Sequence, residues 1–207
     1  MKNYFYLNGT KIELTEEQAR QISESFNIAP KAGTVLLAER AVGDTVKIGD
    51  YEFIVLKQGE GKTHLILKEL LEEDVAFGDN NNDYRASNIR PMLLKFADEL
   101  SALIGAENLI EHVLDLTSDD GLKDYGTTVE RVSLLTAEQY REFVDVLDKD
   151  RLEKWWWLAT PHSTERHENA NWVKVVSPSG GIYCNNYYGN GDGVRPFCIL
   201  KSDILVS

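Results

Sequence analysis

The stretch Glu153-Lys-Trp-Trp-Trp-Leu-Ala-Thr-Pro161 holds three of the four tryptophans in the chain. Three consecutive indoles cannot enter one core from one strand, because successive side chains of a strand point to opposite faces. Trp155 and Trp157 therefore share a face, and Trp156 takes the other. In a sheet covered by helices on one side only, one or two of these rings enter the core. The remainder sits under a loop, so that both faces are buried, or against a ligand. Indoles suit either place, having a large apolar area and one donor.

The pattern around this run divides the chain. Tyr4 to Leu7, Asn8-Gly9 and Thr10 to Leu14 read as a hairpin, since Asn-Gly supports the left-handed turn of a two-residue loop. Thr15-Glu-Glu-Gln18 is a capping box, and Ala19, Ile22 and Phe26 follow at helical spacing. Residues 1–30 thus read as a ββα appendage, with Pro30, Ala32 and Gly33 in a linker. Residues 35–207 read as the main domain. Strands are expected over Asp44 to Val55, around a Gly49-Asp50 turn, and over His64 to Leu71. A polar turn, Asp79-Asn-Asn-Asn-Asp83, precedes a helix that starts near Ser87, because Pro91 is tolerated only in the first turn. Ile110 to Leu116 reads as a short element and Thr127 to Leu135 as a strand. Thr136-Ala-Glu-Gln139 caps a second helix bearing Tyr140, Phe143, Val144 and Leu147. Four short strands, Trp155 to Ala159, Trp172 to Val176, Gly181 to Cys184 and Val194 to Leu200, then predict one small antiparallel sheet with long loops.

Several of these pieces, in this order, carry a resemblance. They are Gly49-Asp-Tyr-Glu-Phe-Ile-Val-Leu56, Ser87-Asn-Ile-Arg-Pro-Met-Leu93, Ser133-Leu-Leu-Thr-Ala-Glu138 and Trp156-Trp-Leu-Ala-Thr-Pro161. Trp172-Val-Lys-Val-Val176, Ser179-Gly-Gly181 and Gly193-Val-Arg-Pro-Phe-Cys-Ile-Leu200 complete the set. Together, over roughly residues 44–203, the chain resembles a family of C-type-lectin-like domains found in Gram-positive bacteria and their phages. The resemblance implies an α+β fold: a twisted, mostly antiparallel sheet, two flanking helices, and a loop-rich edge where ligands are met. The same fold class includes the formylglycine-generating enzyme and the variable receptor-binding proteins of diversity-generating retroelements. Fold alone implies no reaction. The resemblance also suggests a phage- or prophage-encoded protein, in the host cytoplasm or on the virion.

Charge narrows the partners. A formal net charge of −12 disfavours free nucleic acid and anionic membrane, which need clustered Lys and Arg. Six acidic residues and no basic ones run from Glu69 to Asp83: Glu69, Glu72, Glu73, Asp74, Asp79 and Asp83. Asp98 to Asp120 holds seven more acids, Asp115, Asp119 and Asp120 among them, again without Lys or Arg. These stretches read either as solubilising surface or as a face that meets a basic host protein by imitating nucleic acid. The N-terminus lacks the apolar run of a signal peptide, and two cysteines give no disulfide framework.

Reactive chemistry finds little support. The calcium site of sugar-binding lectins needs a Glu-Pro-Asn or Gln-Pro-Asp step and a Trp-Asn-Asp step, and Val173 follows Trp172. Asp79, Asn81 and Asp83 begin an EF-hand loop, but Tyr84 and Arg90 stand at its Gly and closing Glu positions. Cys184 and Cys198 lie on separate strands, unlike the close copper-binding pair of a formylglycine-generating oxidase. His162, Glu165, His167 and Glu168 crowd one loop without a third fixed zinc ligand. No catalytic residue, metal or cofactor is therefore assigned. What remains is a recognition surface. Loop 161–171 offers His162, Glu165, Arg166, His167 and Asn169. Loop 185–192 offers Asn185, Asn186, Tyr187, Tyr188 and Asn190. Tyr and Asn suit adaptable binding loops, giving rigid amphipathic area and two-way hydrogen bonding. Arg195, beside buried aromatics and acidic loops, reads as structural, tying the sheet to its loops through several donors, and Trp155, Trp156, Trp157 and Trp172 read as structural with it. The expected function is non-catalytic binding of a protein or glycan. The alternatives are an anti-CRISPR-like acidic inhibitor of a host defence or nucleic-acid-binding protein, and a formylglycine-generating-type oxidase.

Overall fold

The computed structural model describes residues 3–7, 10–15, 17–18, 34–189 and 191–207. The Asn8-Gly9 turn, the helix expected around Ala19, Ile22 and Phe26, the 30–33 linker and Asn190 lie outside these residues. The hairpin strands β1 (Asn3–Leu7) and β2 (Thr10–Leu14) pair antiparallel. Thr15 and Gln18 exchange both hydrogen bonds of a capping box, at 3.0 and 3.2 Å.

The rest is mixed α+β. In chain order come β3 (Val35–Leu36), β4 (Thr45–Ile48), β5 (Tyr51–Gly59), β6 (Lys62–Leu67) and helix α1 (Ile89–Ile104). Next are β7 (Leu109–Ile110), β8 (His112–Asp115), β9 (Thr127–Glu130), β10 (Val132–Ser133) and helix α2 (Ala137–Leu147). The chain closes with β11 (Trp156–Pro161), β12 (Trp172–Val176), β13 (Ile182–Asn186), β14 (Phe197–Lys201) and β15 (Leu205–Val206). Every strand ladder is antiparallel. One parallel bridge joins Trp156 to Gly193. No helix among the described residues is long and apolar enough to cross a membrane.

Both helices begin where their caps place them. Ser87 Oγ accepts the Arg90 N–H at 3.1 Å, and Pro91 falls in the first turn of α1. Thr136 and Gln139 complete a capping box at the start of α2. Each helix buries one stripe: Ile89, Leu93, Phe96, Ala97 and Leu100 on α1, and Ala137, Tyr140, Phe143 and Leu147 on α2.

Two apolar cores result, and alternation along the strands feeds both. Phe53, Val55, Leu65, Leu67, Trp157 and Ala159 join the core that also holds the α1 stripe. Ile54, Leu56, Ile66, Trp156 and Leu158 join the core that holds the α2 stripe. Both faces of the tryptophan strand are covered, as the reading of two buried faces expects. All six residues of β11 are buried, so Trp156 and Trp157 each enter a different core. Trp155 packs, partly buried, against the same core as Trp157.

A correction concerns β14. It does not join the tryptophan strands. It lies between β10 and β6 in the large sheet β10-β14-β6-β5-β4, with β7 also paired to it. The small sheet is β11-β12-β13 alone. The crossover is Gly193-Val-Arg-Pro196. Gly193 exchanges hydrogen bonds with Trp155 and Trp157. A Cβ there would run into Leu70 Cδ1, so a larger residue would have to push the end of the Leu70 side chain aside. Three residues on, the Pro196 carbonyl accepts from Leu67 N–H on β6, and the chain has changed sheets. Arg195 secures the step. Its Nε donates to the Leu67 carbonyl and its Nη2 to the Lys68 carbonyl, both at 2.9 Å. Its guanidinium lies 5.4 Å over the Trp156 ring. Burial pulls its pKa down to about 10, so it stays charged at neutral pH. Arg195 thus lies beside a buried aromatic and within reach of the charges of Asp150 and Glu69, and its hydrogen bonds go to backbone carbonyls.

Candidate functional site

The two loops meet at one end of the small sheet. β12 pairs with β13 so that Trp172 lies opposite Asn186. His162 N–H donates to the Trp172 carbonyl at 2.9 Å, and Tyr187 N–H donates to the Asn171 carbonyl at 2.9 Å. The first bond ties loop 161–171 to the sheet, and the second ties loop 185–192 to the first loop. Two aromatic rings stay open there: Tyr188 is 64% exposed, and Trp172, read from the sequence as structural, is 41% exposed. Tyr187 is partly buried against the core and meets Tyr188 edge-on at 5.2 Å.

Loop 161–171 is braced by the acidic segment 115–124. Asp119 accepts from Lys174 Nζ at 2.9 Å and from Arg141 Nη2 at 3.3 Å. Its own N–H donates to the Pro161 carbonyl at 2.9 Å. Asp120 accepts from Ser118 and Ser163 and lies 2.9 Å from His167 Nδ1. Asp124 accepts from Thr164 at 2.6 Å and pairs with Arg166. His162 Nδ1 stands 4.0 Å from Asp119, too far to hydrogen-bond. Glu165 and Glu168 are exposed, and Asn169 N–H donates to the Thr164 carbonyl. In the other loop, Asn185 turns inward and donates twice to Asp192, a buried carboxylate whose pKa burial raises. Asn186 Oδ1 receives the Tyr188 N–H at 3.4 Å.

A third segment holds this assembly from the other side. Asn82 is fully buried in the turn read from sequence as simply polar. Its Nδ2 donates to the carbonyls of Ser163 and Trp172, at 2.9 and 2.8 Å. Its Oδ1 accepts the Tyr125 hydroxyl at 2.8 Å, and its N–H donates to the Ala170 carbonyl at 3.1 Å. Sequence reasoning missed Asn82, Asp124, Arg141 and Lys174. The local signal for Asn82 and Asp124 was Asp and Asn density, which marks turns as readily as anchors; Arg141 and Lys174 carried none.

The acidic residues separate into two groups. Glu69, Glu72, Glu73, Asp74 and Asp79 are exposed, with Glu73 beside Lys154 and Asp79 accepting from Asn88. Asp83 is buried and clasps Arg85. Asp119 and Asp120 turn toward cations and hydroxyls within the chain, and Asp115 accepts from Thr117. Cys184 and Cys198 are free thiols. Among the described residues, no group of three His, Cys, Asp or Glu side chains converges as a metal-binding set.

This bracing is pH-dependent. Burial raises the Asp119 and Asp120 pKa values, but the donors outweigh it: Lys174 and Arg141 at Asp119, and Ser118, Ser163 and His167 at Asp120. Both carboxyls end below their ordinary value of about 3.9. A carboxyl depressed by folding adds stability above its unfolded pKa and loses it as pH falls toward the folded one. The chain is therefore expected to weaken on acidification below about pH 4. Asp120→Asn should flatten that decline in denaturant titrations across pH. An equally steep decline in the variant would show that Asp120 is not a source of it.

Compared with family models, with curated proteins and with solved structures, the chain matches none of them.

Proposed function

We propose that this chain is a non-catalytic binding protein of C-type-lectin-like fold, phage- or prophage-encoded, that recognises a protein or glycan through the loop end of β12 and β13. The resemblance of its C-terminal motifs supports the lectin-like and phage-type assignment. One observation carries the binding reading: Trp172 and Tyr188 stay open where two loops meet, on a backbone braced by Asn82, Asp119 and Asp120. Exposed large aromatics on a fixed frame offer contact area at low entropic cost. The inward turn of Asp119 and Asp120 takes these two carboxylates away from an acidic partner face.

Salt separates this reading from acidic mimicry, because screening weakens charge-driven association and leaves aromatic contacts in place. Affinity capture from bacterial lysate and on glycan arrays is expected to yield a ligand retained at high salt. Tyr187→Ala/Tyr188→Ala should lose it. A ligand shed at high salt and kept by the double variant would point to the acidic inhibitor instead.

A further inference from the structure

β13 is the outer strand of the small sheet. Hydrogen-bond parity shows which of its backbone groups are open. Tyr187 N–H donates to Asn171 and Ser177 N–H donates to Gly181, the rungs just beyond each end of the β12–β13 ladder. Bonded and non-bonded pairs alternate in an antiparallel ladder. The bonded pairs are therefore Asn185 with Val173 and Tyr183 with Val175. Ile182, Cys184 and Asn186 turn their N–H and C=O groups away from β12. Among the described residues, the backbone partner these groups find is Gly189 N–H, on the Asn186 carbonyl.

Two other edges are met within the chain. The outer edge of β4 exchanges hydrogen bonds with Ser207, and that of β11 is met by Gly193 and Leu135. Sheets also blunt open edges with Lys, Pro or inward charge. β13 reads Ile-Tyr-Cys-Asn-Asn and carries none of these, and none of its residues is fully buried.

We propose that a second copy of this chain closes this edge, β13 pairing antiparallel with its counterpart about a two-fold axis at Cys184. Cys184 is the middle residue of the strand, so this register sets Cys184 against Cys184 and Ile182 against Asn186. The open groups then match at Cys184 and at the Asn186 N–H, while each Ile182 N–H faces an Asn186 carbonyl that Gly189 N–H already holds. Cys184 N–H reaches the opposite Cys184 carbonyl in both directions, and Asn186 N–H reaches the opposite Ile182 carbonyl in both directions. The strand is uncharged, so two chains of net charge −12 meet without like charges on the paired strands. A two-fold pairing of this kind is self-complementary and closes on itself. It merges two three-stranded sheets into one of six strands. It also sets each copy's loop after Asn186 beside the other copy's Ser177–Gly181 turn, adding a wall to the recognition surface.

The full chain tests this directly. Sedimentation is expected to give twice the chain mass. A short thiol-to-thiol cross-linker should join Cys184 to Cys184, since opposed bonded residues lie about 5.5 Å apart between Cα atoms. Cys198 serves as internal control, being buried with its thiol pKa pushed up to about 12. Cys184→Ser should keep the dimer and lose the cross-link. Cys184→Pro removes an N–H that β12 does not use, which an edge strand tolerates, and should give folded monomers. Circular dichroism and an unfolding curve check that fold. If this variant does not fold, the wild-type cross-link decides. A monomer at every concentration, a dimer that yields no Cys184 cross-link, or a dimer that survives in folded Cys184→Pro would each overturn the proposal. So would a monomer that takes an unrelated extended peptide on β13.

Discussion

Trp157→Ala is expected to destabilise the chain by about 4 kcal/mol, the range for removing a large aromatic from a core. Trp157 is fully buried and its ring meets Phe77 at 5.5 Å. Its Nε1 donates to the Val75 carbonyl at 2.7 Å, so truncation also strands a carbonyl. That bond fixes the segment leading into the Asn82 turn, and damage at Trp157 should spread to loops 161–171 and 185–192. Trp157→Phe keeps most of the packing and loses the donor, and a smaller cost of about 2 kcal/mol is expected. Trp172→Ala, at an exposed site, should stay within about 0.5 kcal/mol. Urea unfolding with an unchanged slope makes the comparison. Equal losses at Trp157 and Trp172 would contradict the division of the tryptophans into core and surface.

Asn82→Ala is expected to cost about 3 kcal/mol. It leaves the Ser163 and Trp172 carbonyls and the Tyr125 hydroxyl without their amide partner. Buried groups left unpaired cost more than the bond itself contributes. The damage should be local first. Amide exchange in loop 161–171 is expected to quicken well before global unfolding, because this loop depends on Asn82 and on the aspartates of 115–124. Asn82→Asp is a sharper probe. It keeps the shape and the Tyr125 bond, but a carboxylate cannot donate to the two carbonyls. Unchanged exchange in the loop for both variants would remove Asn82 from its anchoring role.

Much of the local structure was legible because it is written in short-range chemistry. The Thr136 capping box, the Pro91 limit on α1 and the opposite faces of Trp156 and Trp157 depend on residues within one turn or one strand. The partner of β14 was not legible. An apolar strand of five residues suits either sheet, and the choice rests on the Gly193–Pro196 crossover and on Arg195 reaching carbonyls 127 and 128 residues away in sequence. The site was legible as a composition, in the Tyr and Asn of loop 185–192. Its frame was not. Lys174 lies in a predicted strand, and its partner Asp119 is 55 residues away in sequence. Asn82 looked like turn punctuation, and its contacts lie 43 to 90 residues away. A negative stretch read alone shows charge, but not whether cations within the chain will face it.

The central claim is that aromatic loop residues, and not acidic surface, make the binding contact. Its most direct test is a three-way affinity measurement with the captured ligand. The proteins are the wild type, Trp172→Ala/Tyr188→Ala, and Glu69→Gln/Glu72→Gln/Glu73→Gln, all checked for equal unfolding midpoints. The account predicts that the aromatic variant loses affinity at least about tenfold, as anchors worth over 1.4 kcal/mol do, while the acidic variant binds like the wild type. Full binding by the aromatic variant together with loss in the acidic one would contradict it.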